Sequence, residues 1–456
     1  MSLITSISGI RGTIGGSVGS ALTPIDIVKF TAAYGYWLLQ SGNSKKVVLG
    51  RDARISGDMV SRLVIGTLQG LGIDVVDLGM ATTPTVEVAV VDEQAGGGII
   101  LSASHNPIQW NALKLLNEKG EFISHEAGET VLQIAADESF RFAEVLQLGK
   151  YEEKTDWLEK HIDKVCAMPL VNIEAIKKAD FKIAVDAVNS VGGLAVPALL
   201  KALGVEQIVE LNCEPTGHFA HNPEPLPENI TEMCEVVRKE QCDLGIIVDP
   251  DVDRLALVCD NGSPFGEEYT LVAVADYVLP HRKGALVTNL SSSQAIADMA
   301  KKHGFPFAES AVGEVNVVNT MKANNAVIGG EGNGGIIDPE LHYGRDSIVG
   351  IALFLSHLAI SGLTATQLRA TYPDYFMVKN KIELTDGISP DAMLELLKEK
   401  FSNIRQNTVD GLKLYFDNGW VLLRKSNTEP IIRVYSEANT LEESKRLNAL
   451  IFDAVG

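Results

Sequence analysis

The sequence predicts an α/β fold with mixed, mostly parallel sheets, closed by a smaller C-terminal α+β domain. Three observations carry this reading. Short apolar runs ending in small or polar residues alternate with helix patterns over the first three quarters of the chain. One order of apolar strand, small polar turn and helix appears near residue 100 and recurs at 181–190 and 284–293. From about residue 375 the pattern changes to strands joined by a hairpin and interleaved with helices.

The elements follow in order. "KKVVLG" (45–50), "IDVVDLG" (73–79) and "GGGIILS" (96–102) read as strands. Thr23-Pro24, Ser56 and Thr83-Pro84 open the helices between them, because hydroxyl residues and proline suit first helical positions. "FKIAVDAVNS" precedes "VGGLAVPALLKALG", and "GALVTNLSSS" precedes "QAIADMAKKHG", each a strand leading into a helix. "IVGIALFLSHLAISG" is apolar but too short to span a bilayer and contains His357, so it reads as a buried helix. After it, "FMVKNKIEL" is a strand and Ser389-Pro390 opens a helix. "GLKLYF", Asp417-Asn418-Gly419 and "WVLLRKS" form a hairpin, "IIRVYSEA" is a strand, and "TLEESKRLNALIFDAV" is the closing helix. These patterns divide the 456 residues into segments 1–150, 151–262, 263–373 and 374–456.

Composition narrows the function. A net charge of −20 disfavours a nucleic-acid partner, since phosphate-backbone affinity comes from clustered Lys and Arg. A site for a small anion must therefore make its own local positive field. No membrane span and no signal peptide is expected. The five cysteines show no CxxC pairing and read as reduced thiols of a cytoplasmic protein.

Four loops carry the chemistry. "SASHNP" (102–107) follows a strand, where α/β proteins place their sites, and no GxSxG elbow makes its serines hydrolytic nucleophiles. In "VDPDVDR" (248–254), Asp249, Asp251 and Asp253 alternate after an apolar strand. An extended segment would point all three carboxylates one way, and a hard dication such as Mg²⁺ would relieve their repulsion. Arg254 occupies the position where a calcium-binding EF-hand loop needs glycine, and it suits an anion beside the metal. In "GGEGNGGII" (329–337), glycines surround Glu331 and Asn333, whose side chains can bond sugar hydroxyls. In "RKSNTEPIIRVY" (424–435), Arg424, Ser426, Asn427, Thr428 and Arg433 make a phosphate cradle of guanidiniums and short donors. Arg11, on a loop of small residues, and Arg51 and Arg54 in "GRDAR" add positive charge.

These four loops in this order resemble the α-D-phosphohexomutase superfamily, and the "GEGNGG" (330–335) and "HYGRD" (342–346) strings resemble its phosphoglucosamine mutase branch. The resemblance runs from "GIRG" to "TEPIIRVYSEA". It implies three related α/β domains and a C-terminal α+β domain around a central cleft. It implies a phosphoserine at Ser104, with Ser102 as strand-end scaffold. One Mg²⁺ per chain would be held by Asp249, Asp251, Asp253 and a phosphoserine oxygen, with Arg254 beside them. His105, Lys114 and Arg11 would serve proton transfer and charge stabilisation, and whether His105 or Lys114 is the general base stays open. Glu331 and Asn333 would grip the sugar; Arg424, Ser426, Asn427, Thr428 and Arg433 would hold the phosphate not being transferred.

The implied partner is a small sugar phosphate, with a hexose 1,6-bisphosphate as activator and a monomer or homodimer as the assembly. The implied reaction interconverts glucosamine 6-phosphate and glucosamine 1-phosphate. The alternatives are glucose or mannose phosphates and, more distantly, a phosphatase using Asp249 as nucleophile. Three departures from the family pattern stand out: Pro250 and Val252 where glycine is common, Asn333 where serine is common, and Asn427 in place of glycine.

Overall fold

The computed structural model describes residues 2–6, 9–383, 389–425 and 431–455. The chain packs as two units, Met1–Thr270 with Gly334–Leu368, and Leu271–Asn333 with Arg369–Gly456. This division is coarser than the four segments expected from sequence, and it splits the third of them between the units.

The first unit holds two sheets. In the larger, strands Lys46–Arg51, Asp74–Met80 and Gly97–Leu101 pair in parallel. Its other half is antiparallel: Trp110–Leu116 lies against Gly97–Leu101, and Gly9–Thr13 against Trp110–Leu116. Arg11 therefore sits on a strand rather than the expected loop. The small residues around it lack strand propensity, and the ladder to 110–116 supplies what propensity does not. Helix Pro24–Gln40 begins at Thr23 with a full capping box to Asp26. Two helix starts differ in detail. Thr82, not Thr83, caps helix Thr83–Asp92, and Ser56 makes no capping bond but accepts one from Asn111 Nδ2.

In the second sheet, Lys182–Asp186, Gln207–Leu211 and Leu244–Val248 are parallel and Leu255–Cys259 is antiparallel. Leu244–Val248 is buried throughout, as its unbroken apolar run requires. The apolar stretch near 350 is helix Ser347–Ser361, capped by Asp346 and buried over most of its length.

The second unit combines a parallel set, Phe307–Ser310, Ala285–Asn289 and Ala326–Glu331, with the C-terminal antiparallel sheet. Leu412–Phe416 and Gly419–Lys425 form the expected hairpin, and Ile431–Ala438 pairs with both Gly419–Lys425 and Phe376–Glu383. Buried polar contacts join the two parts. Lys413 Nζ lies 2.6 Å from Glu309 Oε1, and Glu437 Oε1 accepts from Gln294 N at 2.7 Å. Within the C-terminal sheet Lys413 Nζ stands 4.2 Å from the Trp420 ring centroid, and Trp420 Nε1 donates to the same Glu437 oxygen at 2.9 Å. Among the described residues no helix is long and apolar enough to cross a membrane, and the five cysteines are free thiols.

Candidate active site

Each unit carries one group of the expected residues. In the first unit, Ser104, His105, Lys114, Asp249, Asp251, Asp253, Arg254 and Arg11 come together. Ser104 follows strand Gly97–Leu101 and has φ +48°, a left-handed conformation that a non-glycine residue rarely adopts. Two tethers hold it there. Its N–H donates to Ser102 Oγ at 2.9 Å, so Ser102 is the strand-end scaffold in a literal sense. Its carbonyl accepts from Arg54 Nη2 at 2.5 Å.

Arg54 is the main support of this loop. Its side chain is fully buried, paired with Asp52 at 3.0 Å. It also donates to the carbonyls of Asn106, Pro107 and Trp110 at 2.7, 2.8 and 3.0 Å. The sequence marked Arg54 only as a source of charge; the structure spends that charge on backbone carbonyls. Burial pushes the Asp52 carboxyl up, and Arg54 opposes that shift.

The three aspartates lie after strand Leu244–Val248, and their candidate ligand oxygens lie within 4.8 Å of one another. They converge through a turn, not by the extended alternation expected. Val252 N donates to Asp249 O at 3.1 Å, and Val252 has φ +66°. A β-branched residue there is under backbone strain, which glycine at this place would avoid. Each carboxylate has one oxygen committed elsewhere in the protein. Asp249 Oδ1 accepts the N–H groups of Asp253 and Arg254, both at 3.1 Å. Asp251 Oδ2 accepts from Thr83 Oγ1 and Lys114 Nζ, both at 2.6 Å. Asp253 Oδ2 accepts from Arg345 Nη2 at 2.8 Å and Lys114 Nζ at 3.3 Å. The opposite oxygens, Asp251 Oδ1 and Asp253 Oδ1, are buried without a hydrogen-bond partner. Asp249 Oδ2 meets Ser104 Oγ at 2.6 Å.

This donor set fits a hard dication: three clustered, buried carboxylates, of which Asp251 and Asp253 each keep one oxygen without a partner, beside the Ser104 hydroxyl. Electrostatics agree. Burial and the charges of Asp253 and Asp251 push the Asp249 carboxyl well above the carboxylate range. Such a group demands a positive charge nearby.

The cationic side chains frame the serine. Burial disfavours the charge on Lys114, but Asp251 and Asp253 outweigh it and hold the ammonium protonated. His105 Nδ1 lies 3.4 Å from Ser104 Oγ, and burial followed by the charge of Arg254 pulls its pKa down to about 3, so the imidazole is neutral. Arg254 Nη1 pairs with Glu224 Oε1 at 3.1 Å, and the same oxygen is 3.9 Å from His105 Nε2. Burial and then the charge of Arg254 lower the Arg11 pKa, so two guanidiniums crowd one region, as an anion site requires. Thr83, Arg345, Glu224 and Arg54 are the members that sequence reasoning did not assign. Arg345 stood in "HYGRD" and Thr83 in a Thr-Pro pair, but neither string shows what its side chain touches.

The second unit holds the other group. Glu331 ends strand Ala326–Glu331, and its Oε1 accepts from Asn289 Nδ2 at 2.8 Å and Gly313 N at 3.2 Å. Val312, next to Gly313, donates its N–H to Asp410 Oδ2 at 2.9 Å, and Asp410 pairs with Arg424 Nε at 2.8 Å. A short polar chain thus links Glu331 to Arg424. Arg424 stands directly opposite Arg433 in the antiparallel ladder, so both point to one face. Like charges in that register repel. Asp410 relieves half of this charge, and an anion would relieve the rest. Arg433 is exposed and Asn333 half-buried. Ser426, Asn427 and Thr428 lie outside the described residues.

A strained serine on a buried carboxylate triad, with cations around it, is an arrangement suited to phosphoryl transfer on an α/β scaffold. Four family profiles match the chain: phosphoglucomutase/phosphomannomutase alpha/beta/alpha domains I, II and III over residues 3–142, 159–262 and 266–375, and the C-terminal domain over 381–454. The chain belongs to the phosphoglucomutase/phosphomannomutase family. It is 36% identical to the phosphoglucomutase/phosphomannomutase of Thermococcus kodakarensis, covering 95% of each protein. It is 32% identical to the phosphoglucosamine/phosphogalactosamine mutase of Sulfurisphaera tokodaii, covering 96% of each. The crystal structure of a phosphoglucomutase/phosphomannomutase family protein from Burkholderia thailandensis has the same fold, with a TM-score of 0.85 at 24% identity over 99% of this chain and 98% of that one.

Proposed function

We propose that the protein is a phosphohexomutase interconverting glucosamine 6-phosphate and glucosamine 1-phosphate through a phosphoserine at Ser104 and a 1,6-bisphosphate intermediate. One observation carries the reading: Ser104 Oγ sits 2.6 Å from Asp249 Oδ2, in a triad whose other members, Asp251 and Asp253, each leave one oxygen unpaired. The choice of glucosamine rests on the wording of the "GEGNGG" and "HYGRD" loops and on the relative named for that activity.

In this reading, Asp249, Asp251 and Asp253 would hold Mg²⁺ together with a phosphoserine oxygen, and the bound ion would supply positive charge against the phosphoryl group. A sugar hydroxyl attacks the phosphorus, the Ser104 Oγ–P bond breaks, and the hydroxyl proton passes to a base beside Ser104. His105 is neutral and adjacent but, with its pKa pulled down to about 3, only a weak base; Lys114 stays charged and offsets negative charge. Arg54, Ser102 and the strained φ of Ser104 fix the nucleophile's position, so little reorganisation is needed at transfer. The bisphosphate then turns end for end and returns its other phosphate to Ser104. Arg424 and Arg433 hold the idle phosphate, together with Ser426, Asn427 and Thr428, while Glu331 and Asn333 bond the sugar hydroxyls. Segments 1–150, 151–262, 263–373 and 374–456 contribute serine, metal, sugar and phosphate elements in turn.

The nearest second reading is a phosphoglucomutase/phosphomannomutase, favoured by the relative at 36% identity. Comparing kcat/KM for glucosamine, glucose and mannose 1-phosphates, each with its bisphosphate activator, separates the two. A preference for glucose or mannose 1-phosphate of about tenfold or more, some 1.4 kcal/mol, would overturn the glucosamine assignment. An aspartyl phosphatase would need Asp249 free to attack. Here its Oδ2 accepts from Ser104, and Asp253 stands at the fifth position, where such an enzyme uses a hydroxyl. Phosphate labelling tests this: label on Ser104 supports the mutase, whereas an acyl phosphate on Asp249 would refute it.

A further inference from the structure

We propose that His161, His342 and Asp346 form a second, transition-metal site, suited to Zn²⁺ and distinct from the aspartate triad. Candidate ligand atoms of the three residues lie within 4.8 Å of one another, and all three side chains are buried. His161 Nε2 is 3.0 Å and His342 Nε2 is 3.2 Å from one oxygen, Asp346 Oδ2. Ligands about 2.0–2.1 Å from a tetrahedral zinc stand roughly 3.3 Å apart, so these two spacings need little adjustment.

The remaining polar atoms of the ligands face further polar groups. His161 Nδ1 lies 3.0 Å from Thr85 Oγ1, and His342 Nδ1 lies 3.2 Å from Glu87 Oε2. A hydroxyl or carboxylate on the far nitrogen is how metal-binding imidazoles are oriented. Asp346 Oδ1 caps its helix, accepting from Ile348 N at 2.8 Å and Val349 N at 3.3 Å. What converges is therefore two imidazole nitrogens and one carboxylate oxygen. Two nitrogens favour zinc, whereas the all-oxygen triad favours magnesium. Asp346 and Glu87 are two buried carboxylates beside these imidazoles, and a dication would balance both charges, as protons on both histidines would.

Such an ion would join three segments of the first unit: helix Trp157–Cys166 through His161, the start of helix Thr83–Asp92 through Thr85 and Glu87, and the 338–346 loop. Thr83 and Arg345, next to two of these points, are the side chains that hold Asp251 and Asp253. The zinc would thus be a structural brace behind the triad.

The test is metal content of the full-length protein, made in zinc-supplemented cells and purified without chelator. The expected result is about one zinc per chain in the wild type and in Asp251→Asn, falling at least about tenfold in His161→Gln and His342→Gln. The cobalt-grown wild type should also show the intense visible bands of a four-coordinate nitrogen–oxygen site. A wild type with about a tenth of a zinc or less and no cobalt bands overturns the proposal, whether or not the histidine variants fold. Folded histidine variants that keep their zinc overturn it as well.

Discussion

The serine–aspartate region of the first unit and the Glu331–Arg424 region of the second are built on opposite terms. In the first, polar groups are buried and each is held by several partners: Ser104 by Ser102 and Arg54, the aspartates by Thr83, Lys114 and Arg345. In the second, Arg433 is exposed and faces Arg424 across a ladder with Asp410 as the nearby counter-charge. Bond-making chemistry needs a desolvated, pre-positioned acceptor, because stabilisation of developing charge is strongest where nothing must rearrange. Holding a phosphate that does not react needs accessible positive charge that an anion can enter and leave.

Substitutions on the two sides should therefore fail in different ways. The largest effect is expected from Ser104→Ala, which removes the acceptor itself: turnover should fall by about 10³-fold or more while sugar-phosphate binding, read by calorimetry, persists. Wild-type-like turnover would end the phosphoserine reading. Next comes Arg54→Met, which leaves Asp52 unpaired and four loop carbonyls without their donor. A loss of about 3–5 kcal/mol in denaturant unfolding is expected; less than about 1 kcal/mol would mean that the loop holds itself. Arg424→Ala should act on binding, raising KM roughly 10–100-fold with a much smaller change in kcat. An effect confined to kcat would erase the contrast between the regions.

The smallest effect concerns stability and pH. Burial lowers the pKa of His221, but Asp186, bonded at 3.0 Å, and the Asn222 carbonyl outweigh it, so the folded value is raised. A raised histidine contributes its full stability below its unfolded pKa of about 6.5 and loses it as pH climbs through the folded value. His221→Gln should therefore cost about 1 kcal/mol near pH 5.5 and clearly less near pH 9, read from urea midpoints. A cost that grows with pH would contradict the pairing.

Much of the site was legible because its chemistry is local. "SASHNP", "DPDVDR", "GEGNG" and the flanks of "RKSNTEPIIR" each announce their residue types in a few positions, and Ser104, the three aspartates, Lys114 and Arg254 do assemble. Legibility failed where a role depends on what lies across the fold. Arg54 reads as one more cation in "GRDAR" until four carbonyls surround it. Thr83 reads as a helix opener until Asp251 is beside it. Arg11 sits among small residues of low strand propensity, and only pairing with 110–116 makes that stretch a strand. The triad was expected to converge by alternation, but a turn through Val252 does the work, at a backbone angle that sequence patterns do not reveal.

The sequence by itself determined the alternation of strands and helices, the change of pattern near residue 375 and the types of side chain in each loop. Apolar periodicity and short motifs are properties of neighbouring residues, so these could be read along the chain. The tertiary structure decided which aspartate oxygens are spoken for and that Asp251 and Asp253 each keep one open. It decided that Arg54 supports the loop rather than binding substrate, and that His161, His342 and Asp346 meet although 185 residues separate the first from the last. Those outcomes depend on burial and on distances between remote segments, which fix the cost of each charge only once the chain has folded.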